Sequence, residues 1–426
     1  MNAADLRERL ESLREAGRAL RERPVRKTLD ALAQLLDIWR DPGSRWRRAL
    51  EAELPAATGF SPEGVREGLA RGLAGWTGDA LRALVDAELG GEAALEGAGR
   101  VAISGFDATA VFLAGSIPMP TLLALVAPLT LRSPVLAKAA SRDPVTPRLV
   151  LRSLEAVDAE LGRALAVVTL PSRDPELALA LLEAECVALT GSDASVEALR
   201  ARARGARRIV ARGHRLSLAA LGPRASRGPA LREAVAGLAL DIALWDQLGC
   251  LSPVSVHVVD SDREAPDRVA EALAEALAAA EMRWPRGRVD PATAAAITAA
   301  RDAAELRSAD GRRVAVLASS GTAWTVVRED TAELRPGPLH RFVRVHPAES
   351  AERLRAALAP VSRHLAAVAV AGFGSETTGV ARELAALGAS RVCAPGTCQS
   401  PPLAWHHDGE GVLAPFARVS DLEVAG

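Results

Sequence analysis

The stretch WDQLGCLSP at residues 245–253 lies between an amphipathic segment and the apolar, strand-like run VSVHVV at residues 254–259. It places one thiol, that of Cys250, on a turn directly before a strand. Nucleophilic cysteines are often presented in this way, because a helix N-terminus or a nearby cation can lower the pKa of the thiol. A buried cysteine that only fills space is the alternative.

Short apolar runs alternate with helical segments on both sides of this stretch. Strands are predicted at residues 101–104, 108–114, 134–138, 165–170, 186–190, 208–212, 254–259, 314–317, 323–327, 342–345, 366–371 and 391–393. Helices are predicted at residues 2–22, 28–40, 120–129, 147–161 and 266–280, with more around 62–88. This alternation predicts an α/β fold with mostly parallel sheets covered by helices, preceded by an N-terminal helical region.

The charge balance and the cysteine content restrict the function. Fifty-two basic and 53 acidic residues leave a formal net charge of −1, so no overall field favours nucleic acid as a partner. Four cysteines in 426 residues give no disulfide framework and suit a reducing cytoplasm. We therefore expect a cytoplasmic protein.

Neither a signal peptide nor a membrane span is expected from the sequence. The N-terminal segment is charged from Asp5 onward and has no apolar core. The longest apolar window, residues 109–131, is interrupted by one glycine and three prolines.

Candidate ligand-binding residues lie at the ends of predicted strands. The two commonest glycine-rich phosphate-binding fingerprints are absent, but Thr190, Gly191 and Ser192 follow a strand and open a helix, whose N-terminus can bind phosphate. Ordinary helix capping is the alternative for Ser192. Lys138 closes a strand predicted to be buried and parallel, which points to the ligand-binding edge of the sheet. A solvated strand end is the alternative there.

No metal site is expected. His406, His407 and Asp408 are adjacent in a proline-rich loop and lack the spacing of metal ligands on a regular element. Cys393 and Cys398 are interpreted as packed thiols.

Several of these motifs, in this order, resemble the aldehyde dehydrogenase superfamily and, within it, the acyl-CoA reductases of the bacterial luminescence type, the LuxC family. The resemblance runs from about residue 100 to residue 422, and the first hundred residues match only in being helical. The stretches that carry it are GSIP at 115–118, VLAK at 135–138, SRDP at 141–144, TGS at 190–192, GHR at 213–215, Asp241, QLGCLSP at 247–253 and CQSPPLAWHHDG at 398–409.

The resemblance implies an aldehyde dehydrogenase-like architecture with four parts. We expect an N-terminal helical region over residues 1–99 and a Rossmann-type NAD(P)-binding domain over 100–240. An α/β domain with the catalytic cysteine is expected over 241–395, and a closing segment over 396–426.

The resemblance also implies roles for the candidate residues. Cys250 would take the acyl group as an enzyme thioester, Lys138 would hold the ribose on the adenine side of the cofactor, and residues 190–192 would lie against its phosphates. Ser141, three residues after Lys138, stands where NAD-using relatives carry a glutamate for the ribose 2′-hydroxyl, and Arg142 follows it. The loss of an anion and the gain of a cation predict NADPH over NADH, with a surface charge as the alternative for Arg142.

Three further positions depart from the superfamily pattern. His214 stands about where hydrolytic relatives carry the glutamate that activates water, and it could exchange protons instead, or be structural. Ser116 replaces an asparagine that helps stabilise the oxyanion; its hydroxyl could donate instead, or the backbone N–H of Cys250 could carry more of the load. Glu333 is the nearest counterpart of a glutamate that precedes a Phe-Gly-Pro turn.

The expected function is an NADPH-dependent reductase that converts an acyl thioester, on coenzyme A or a carrier protein, to an aldehyde. The alternatives are an aldehyde dehydrogenase that forms acid or acyl-CoA, and a non-catalytic binding protein of the same fold. The resemblance implies a homo-oligomer. The sequence does not identify the acyl chain.

Overall fold

The computed structural model describes residues 1–98, 100–171 and 174–423. The chain folds as two compact units. The first unit comprises residues 1–58, 72–214 and 402–426, and the second comprises residues 59–71 and 215–401.

The described residues form the following elements. The strands are β1 (Val101–Ser104), β2 (Thr109–Phe112), β3 (Val135–Lys138), β4 (Leu165–Val168), β5 (Cys186–Thr190), β6 (Arg208–Arg212), β7 (Leu216–Leu221), β8 (Pro253–Val259), β9 (Ala315–Ala318), β10 (Thr325–Arg328), β11 (Phe342–Ala348), β12 (Leu365–Ala371), β13 (Arg391–Cys393) and β14 (Arg418–Asp421). The α-helices are α1 (Ala3–Glu22), α2 (Val25–Arg40), α3 (Arg45–Thr58), α4 (Pro62–Gly72), α5 (Gly78–Leu89), α6 (Glu92–Leu95), α7 (Pro118–Thr130), α8 (Val145–Val157), α9 (Ala159–Arg163), α10 (Pro175–Leu181), α11 (Asp193–Arg200), α12 (Gly228–Ala243), α13 (Ala265–Arg283), α14 (Pro291–Ala309), α15 (Ala351–Leu358) and α16 (Thr377–Leu387). Short 3₁₀ helices lie at Pro223–Ser226, Leu244–Gln247, Ala359–His364, Gly374–Glu376 and Ala414–Phe416.

A parallel five-stranded sheet forms the centre of the first unit. Its strands lie in the order β4-β3-β2-β5-β6, and every neighbouring pair is parallel. Numbered by their appearance in this sheet, the strands follow the order 3-2-1-4-5 of dinucleotide-binding folds. The strand order reverses between β2 and β5, so ligands are expected at the carboxyl ends of those two strands.

Helices cover the strands of this sheet, and the N-terminal helical region is part of the same unit. Leucines 6, 10 and 13 of α1 lie in one buried cluster with residues of β2, β3, β5 and α10. The predicted helix at 147–161 is two helices, because Asp158 ends α8 and caps α9 by accepting the backbone N–H groups of Glu160 at 3.0 Å and Leu161 at 2.9 Å. β1 and β14 pair antiparallel as a separate ribbon.

A seven-stranded sheet forms the centre of the second unit, in the order β13-β12-β7-β8-β11-β10-β9. Every neighbouring pair is parallel except the one between β9 and β10. Leucines and valines of β7, β12, α15 and α16 form one buried cluster, and α14 packs with β10 and β11 in another. The predicted α/β class, with mostly parallel sheets and N-terminal helices, is therefore confirmed.

Two strands were not predicted. β7, whose sequence is LSLAAL, pairs with β8 and β12 in the middle of the second sheet. β14 lies near the C-terminus and pairs with β1. No described helix has the length and apolar character that a membrane crossing requires.

Candidate active site

The candidate residues of the first unit lie at the carboxyl edge of the five-stranded sheet. Register pairs Phe112 of β2 with Lys138 of β3 on one side and with Leu189 of β5 on the other, and it pairs Thr190 with Arg212 of β6. The strands therefore end level with one another. Lys138 and Thr190 are the last residues of β3 and β5. The segments that follow the strands carry Ser116, Ser141, Arg142, Gly191, Ser192 and His214.

Lys138 is the most informative of these residues, because its ammonium group lies half-buried without a polar partner among the described residues. Burial lowers the pKa of Lys138 from its ordinary value. A partly desolvated cation without a counterion is stabilised by any ligand that supplies hydroxyl or anionic oxygens. Lys138 therefore fits the ribose-holding role that was predicted for it.

The turn after Lys138 exposes Ser141 and Arg142 to solvent. Asp143 stabilises this turn. Its carboxylate is buried and accepts the backbone N–H groups of Val145 at 3.1 Å and Thr146 at 2.9 Å. Burial raises the pKa of Asp143, although these hydrogen bonds oppose the shift. The guanidinium of Arg142 thus lies on a well-anchored turn, where it is free to meet a ligand.

The segment after β5 combines helix capping with an acidic first turn. Ser192 caps α11, and its hydroxyl accepts the backbone N–H of Ser195 at 3.3 Å. Asp193 in the first turn accepts the backbone N–H of His214 at 2.7 Å, which joins the ends of β5 and β6. A Cβ at Gly213 would lie 2.2 Å from that carboxylate, so this contact requires glycine. Capping by Ser192 is therefore real, and a phosphate-binding role for the segment stays a prediction.

Ser116 and His214 differ in exposure. Ser116 is buried and directly precedes the residue that caps α7, whereas the side chain of His214 is exposed. Gly115 has φ +83°, a left-handed conformation that glycine adopts without strain, and it turns the chain from β2 into this segment.

The tail of the chain reaches β6 within the first unit. Nδ1 of His407 lies 2.6 Å from a guanidinium nitrogen of Arg212, and its ring lies against Trp405 with centroids 4.8 Å apart. Within the described ranges, no group of three or more histidine, cysteine, aspartate or glutamate side chains could hold a metal ion.

Cys250 lies in the second unit, on the turn that leads into β8. It is half-buried, whereas Cys186 lies in the core of the first unit, where burial raises the pKa of its thiol to about 12. The hydroxyl of Ser217, from β7, donates to the carbonyl of Cys250 at 2.6 Å and accepts the backbone N–H of Ala367, from β12, at 3.0 Å. The central strands therefore fix the backbone of the candidate nucleophile.

The residues before Cys250 have an unusual backbone conformation. Trp245, Asp246 and Gln247 have φ angles of 56°, 49° and 63°, all in the left-handed region. Each such residue that is not glycine costs about 1 kcal/mol or more and persists only where the surroundings enforce it.

An ion pair and an amide enforce that conformation. The carboxylate of Asp246 binds the guanidinium of Arg341 at 2.7 Å and the backbone N–H of Gly287 at 3.0 Å. The side chain of Gln247 accepts the backbone N–H of Phe342 at 2.9 Å and donates to the carbonyl of Pro253 at 2.8 Å. Residues 339–341 are left-handed as well, with φ between 57° and 66°.

A second amide ties the turn to the segment after β13. Nε2 of Gln399 donates to the hydroxyl of Ser252 at 2.9 Å and to the carbonyl of Asp241 at 3.1 Å. Asp241 is fully buried, and burial raises the pKa of its carboxyl to about 6. Two motifs that were noted in the sequence, at Asp241 and Gln399, therefore meet beside the cysteine turn.

Glu333 is exposed, and a different glutamate is buried nearby in sequence. Glu329 follows β10 and binds Arg307 at 2.5 Å and also Arg344. Burial alone would raise the pKa of Glu329, but the two guanidinium groups outweigh it and hold the pKa below its usual range.

No sequence pattern pointed to two of the residues that position Cys250. Ser217 lies in the strand that was not predicted, and Arg341 lies 95 positions after its partner Asp246. Gln247 and Asp246 stand within the quoted motif, but their partners do not. Pairing across such separations has no local sequence signal.

Solved structures resemble this fold closely in shape and weakly in sequence. The NADP-dependent glyceraldehyde-3-phosphate dehydrogenase of Bacillus halodurans, complexed with NADP, matches with a TM-score of 0.75 and 14% identity, covering 100% of this chain and 92% of its own. The NAD-dependent benzaldehyde dehydrogenase of Corynebacterium glutamicum matches with a TM-score of 0.75 and 13% identity, covering 99% and 90%. Aldehyde dehydrogenase 21 of Physcomitrella patens, complexed with succinate, matches with a TM-score of 0.74 and 14% identity, covering 99% and 90%.

These similarities define the class of the fold, which is that of the aldehyde dehydrogenases. No curated protein matches this chain. The family model described as acyl-CoA reductase (LuxC) matches residues 20–419, and the chain belongs to that family. The predicted resemblance is confirmed, and the match also extends through most of the N-terminal helices.

Proposed function

We propose that this protein reduces an acyl thioester, carried by coenzyme A or a carrier protein, to an aldehyde, and that Cys250 takes up the acyl group. One observation carries the proposal: a half-buried cysteine lies on a turn enforced by a buried ion pair, in a chain that belongs to the acyl-CoA reductase family. Pre-organisation of this kind suits a nucleophile, since catalysis needs the attacking atom held in place.

The chemistry begins at the sulfur of Cys250. Its thiolate attacks the thioester carbonyl carbon, a new C–S bond forms, and the bond to the carrier sulfur breaks so that the carrier thiol leaves. When bound, NADPH would supply the hydride that reduces the acyl-enzyme to a hemithioacetal. The hemithioacetal on Cys250 then collapses, which releases the aldehyde and restores the thiolate. Ser116 would donate a hydrogen bond to the developing oxyanion, and His214 would exchange protons with the thiol or the hemithioacetal.

The first unit offers residues that fit a nicotinamide dinucleotide. Its sheet has the strand order of dinucleotide-binding folds, and Lys138 presents a half-buried ammonium group at the end of β3, with no polar partner in the described part of the chain. We propose that Lys138 holds the ribose on the adenine side and that residues 190–192 lie against the phosphates. Because Arg142 adds a cation at the neighbouring turn, we propose NADPH as the preferred cofactor.

We further propose a cytoplasmic homo-oligomer whose partners are acyl-CoA or acyl carrier protein thioesters. The cytoplasm suits a chain whose four cysteines are all free thiols.

A panel of acyl-CoA substrates, followed by NADPH consumption and by intact-mass detection of the acyl adduct, tests this function. Cys250→Ala should abolish both the adduct and NADPH consumption. Cys393→Ala is the matched control, because Cys393 is the other half-buried cysteine of the second unit, and this variant should retain both. Turnover by Cys250→Ala as fast as that of the parent would rule out the proposed mechanism. A higher rate with aldehyde and NADP⁺ than with any acyl-CoA would favour the dehydrogenase direction.

A further inference from the structure

Two cysteines of the second unit face each other across a short loop. Cys393 is the last residue of β13, Cys398 follows five residues later, and their sulfur atoms are 3.6 Å apart. Arg391 closes the loop, since its guanidinium donates to the carbonyls of Thr397 and Cys398, each at 2.8 Å. The two thiols are in contact without being bonded, and the role proposed for Cys250 does not involve them.

The loop between the two cysteines is held against α12. The backbone N–H of Gly396 donates to the carboxylate of Asp241 at 2.6 Å. A Cβ at Gly237 would lie 2.6 Å from the carbonyl carbon of Pro395, so only glycine at this position allows the loop to lie so close to the helix. Because the loop is fixed at both places, the sulfur atoms are held facing each other.

The two thiols have unequal surroundings. Cys393 is partly exposed, whereas Cys398 is fully buried. The hydrogen bond from Cys398 lowers the pKa of Cys393 to about 7 against the effect of burial, and the charge of Arg391 contributes in the same direction. The same hydrogen bond and burial raise the pKa of Cys398. Near neutral pH, the accessible member of the pair is therefore the one that carries the thiolate, which is the reactive form.

We propose that Cys393 and Cys398 are an oxidation site that forms a reversible disulfide, with Cys393 as the attacking thiolate and Cys398 as the resolving thiol. Hydrogen peroxide is the oxidant. The Cys393 thiolate attacks one peroxide oxygen, the O–O bond breaks, hydroxide leaves, and the sulfur becomes a sulfenic acid. The thiol of Cys398 then attacks that sulfur, an S–S bond forms and water leaves. Two electrons pass from the two sulfur atoms to the peroxide, and a dithiol reductant reverses the reaction.

The bond needs only a small movement. Disulfide sulfur atoms are about 2.05 Å apart, so the pair at 3.6 Å closes by about 1.5 Å. Disulfides in cytosolic proteins are usually transient and formed by reactive, accessible thiols. The unequal exposure of Cys393 and Cys398 matches that pattern.

The test uses the full-length Cys250→Ser variant, so that the candidate nucleophile does not consume oxidant. Hydrogen peroxide is added, remaining thiols are alkylated, and the protein is digested with trypsin. Arg391 and Arg418 bound a single tryptic peptide, residues 392–418, that holds both cysteines. We expect this peptide to lose two hydrogen atoms in mass, to resist alkylation, and to regain two alkylatable thiols after treatment with dithiothreitol.

Two further variants in the same background assign the roles. With Cys398→Ser, Cys393 should gain oxygen atoms and form no disulfide. With Cys393→Ser, Cys398 should stay reduced at the same peroxide concentration, because its thiol is fully buried and burial raises its pKa even without Cys393. The proposal fails if both thiols of the parent peptide remain alkylatable at a peroxide concentration that oxidises Cys393 in the Cys398→Ser variant. It also fails if Cys398 is oxidised as readily without Cys393 as Cys393 is without Cys398.

Discussion

The guanidinium of Arg341 lies 2.7 Å from the carboxylate of Asp246, and both side chains are buried in the second unit. Asp246 is four residues before Cys250 and has a left-handed backbone. Arg341 also binds Glu281 at 2.7 Å and the carbonyl of Trp284 at 2.8 Å. The pair therefore links the cysteine turn to α13 and the residue that follows it, which enforces a conformation that Asp246 would not adopt by itself.

The first prediction concerns this pair. Arg341→Lys keeps the positive charge but removes the planar guanidinium group, whose nitrogens bind Asp246, Glu281 and Trp284 at the same time. The turn before Cys250 should therefore lose its fixed geometry. We expect acyl-enzyme formation at Cys250 to slow by about tenfold to a hundredfold, because misplacement of a nucleophile by about 1 Å can cost about a hundredfold in rate. Rapid quenching followed by intact-mass measurement gives this rate.

Arg313→Lys is the matched control, because Arg313 also bridges two carboxylates, those of Glu264 and Asp267, but lies on the surface. It should leave the acylation rate unchanged, since exposed ion pairs contribute little. Equal acylation rates in the two variants would show that the buried pair does not position Cys250.

The second prediction concerns cofactor choice. Arg142→Ala should reduce the preference for NADPH over NADH by about tenfold to a hundredfold, because a hydrogen bond between charged groups contributes about 1.5–3 kcal/mol. The ratio of kcat/KM for the two cofactors measures this preference. Arg152→Ala, an exposed arginine on α8, is the control and should leave the ratio unchanged. If Arg142→Ala leaves this ratio unchanged, Arg142 is a surface charge that does not contribute to the choice of cofactor.

The third prediction concerns two stacked histidines in the second sheet. His257 and His346 are neighbours in β8 and β11, with ring centroids 4.9 Å apart and planes at 15°. Burial lowers the pKa of both rings, and the mutual repulsion of their charges lowers that of His257 further. The folded protein therefore holds both rings neutral at a pH at which the unfolded chain takes up protons.

The sign of the pH dependence follows from this difference. Above the unfolded pKa of about 6.5 neither state is protonated and full stability is present; below it only the unfolded state binds protons, so stability falls as pH falls. His257→Gln removes one titrating ring. Between about pH 6.5 and 5.5, its unfolding free energy in urea should fall by about 1 kcal/mol less than that of the parent. Parallel curves for the two proteins would contradict this assignment.

The fold was predictable where the local pattern agrees with the final structure. The strands at 101–104, 186–190 and 208–212 lie where the apolar runs predicted them. β7 was not predicted, because leucine and alanine dominate its sequence and favour helix, whereas the neighbours β8 and β12 impose strand geometry on it. β14 pairs with β1 across more than 300 residues, a separation without local signal.

The candidate site was predictable to the same extent. Motifs at strand ends made Lys138 and residues 190–192 candidates, because a parallel sheet brings the ends of its strands to one edge, and the turn before a strand made Cys250 a candidate. The residues that hold the cysteine turn, Ser217 and Arg341, come from distant parts of the chain. Only the folded structure brings them to that turn.

The fourth prediction concerns the anchor of the C-terminal segment in the first unit. The carboxylate of Glu88, on α5, accepts three consecutive backbone N–H groups, those of residues 412, 413 and 414, at 2.8–2.9 Å. Glu88→Ala removes all three acceptors at once, and hydrogen bonds to a charged group contribute about 1.5–3 kcal/mol each when fully formed. Because Glu88 is only half-buried and water can replace part of this interaction, we expect a loss of about 2 kcal/mol in local stability.

Hydrogen exchange at residues 412–414 should then be about thirtyfold faster in Glu88→Ala. Glu197→Ala, at an exposed position on α11, is the control and should leave that exchange unchanged. If exchange at these amides is as slow without the Glu88 carboxylate as with it, the segment is held by packing of Leu413 and Phe416 alone.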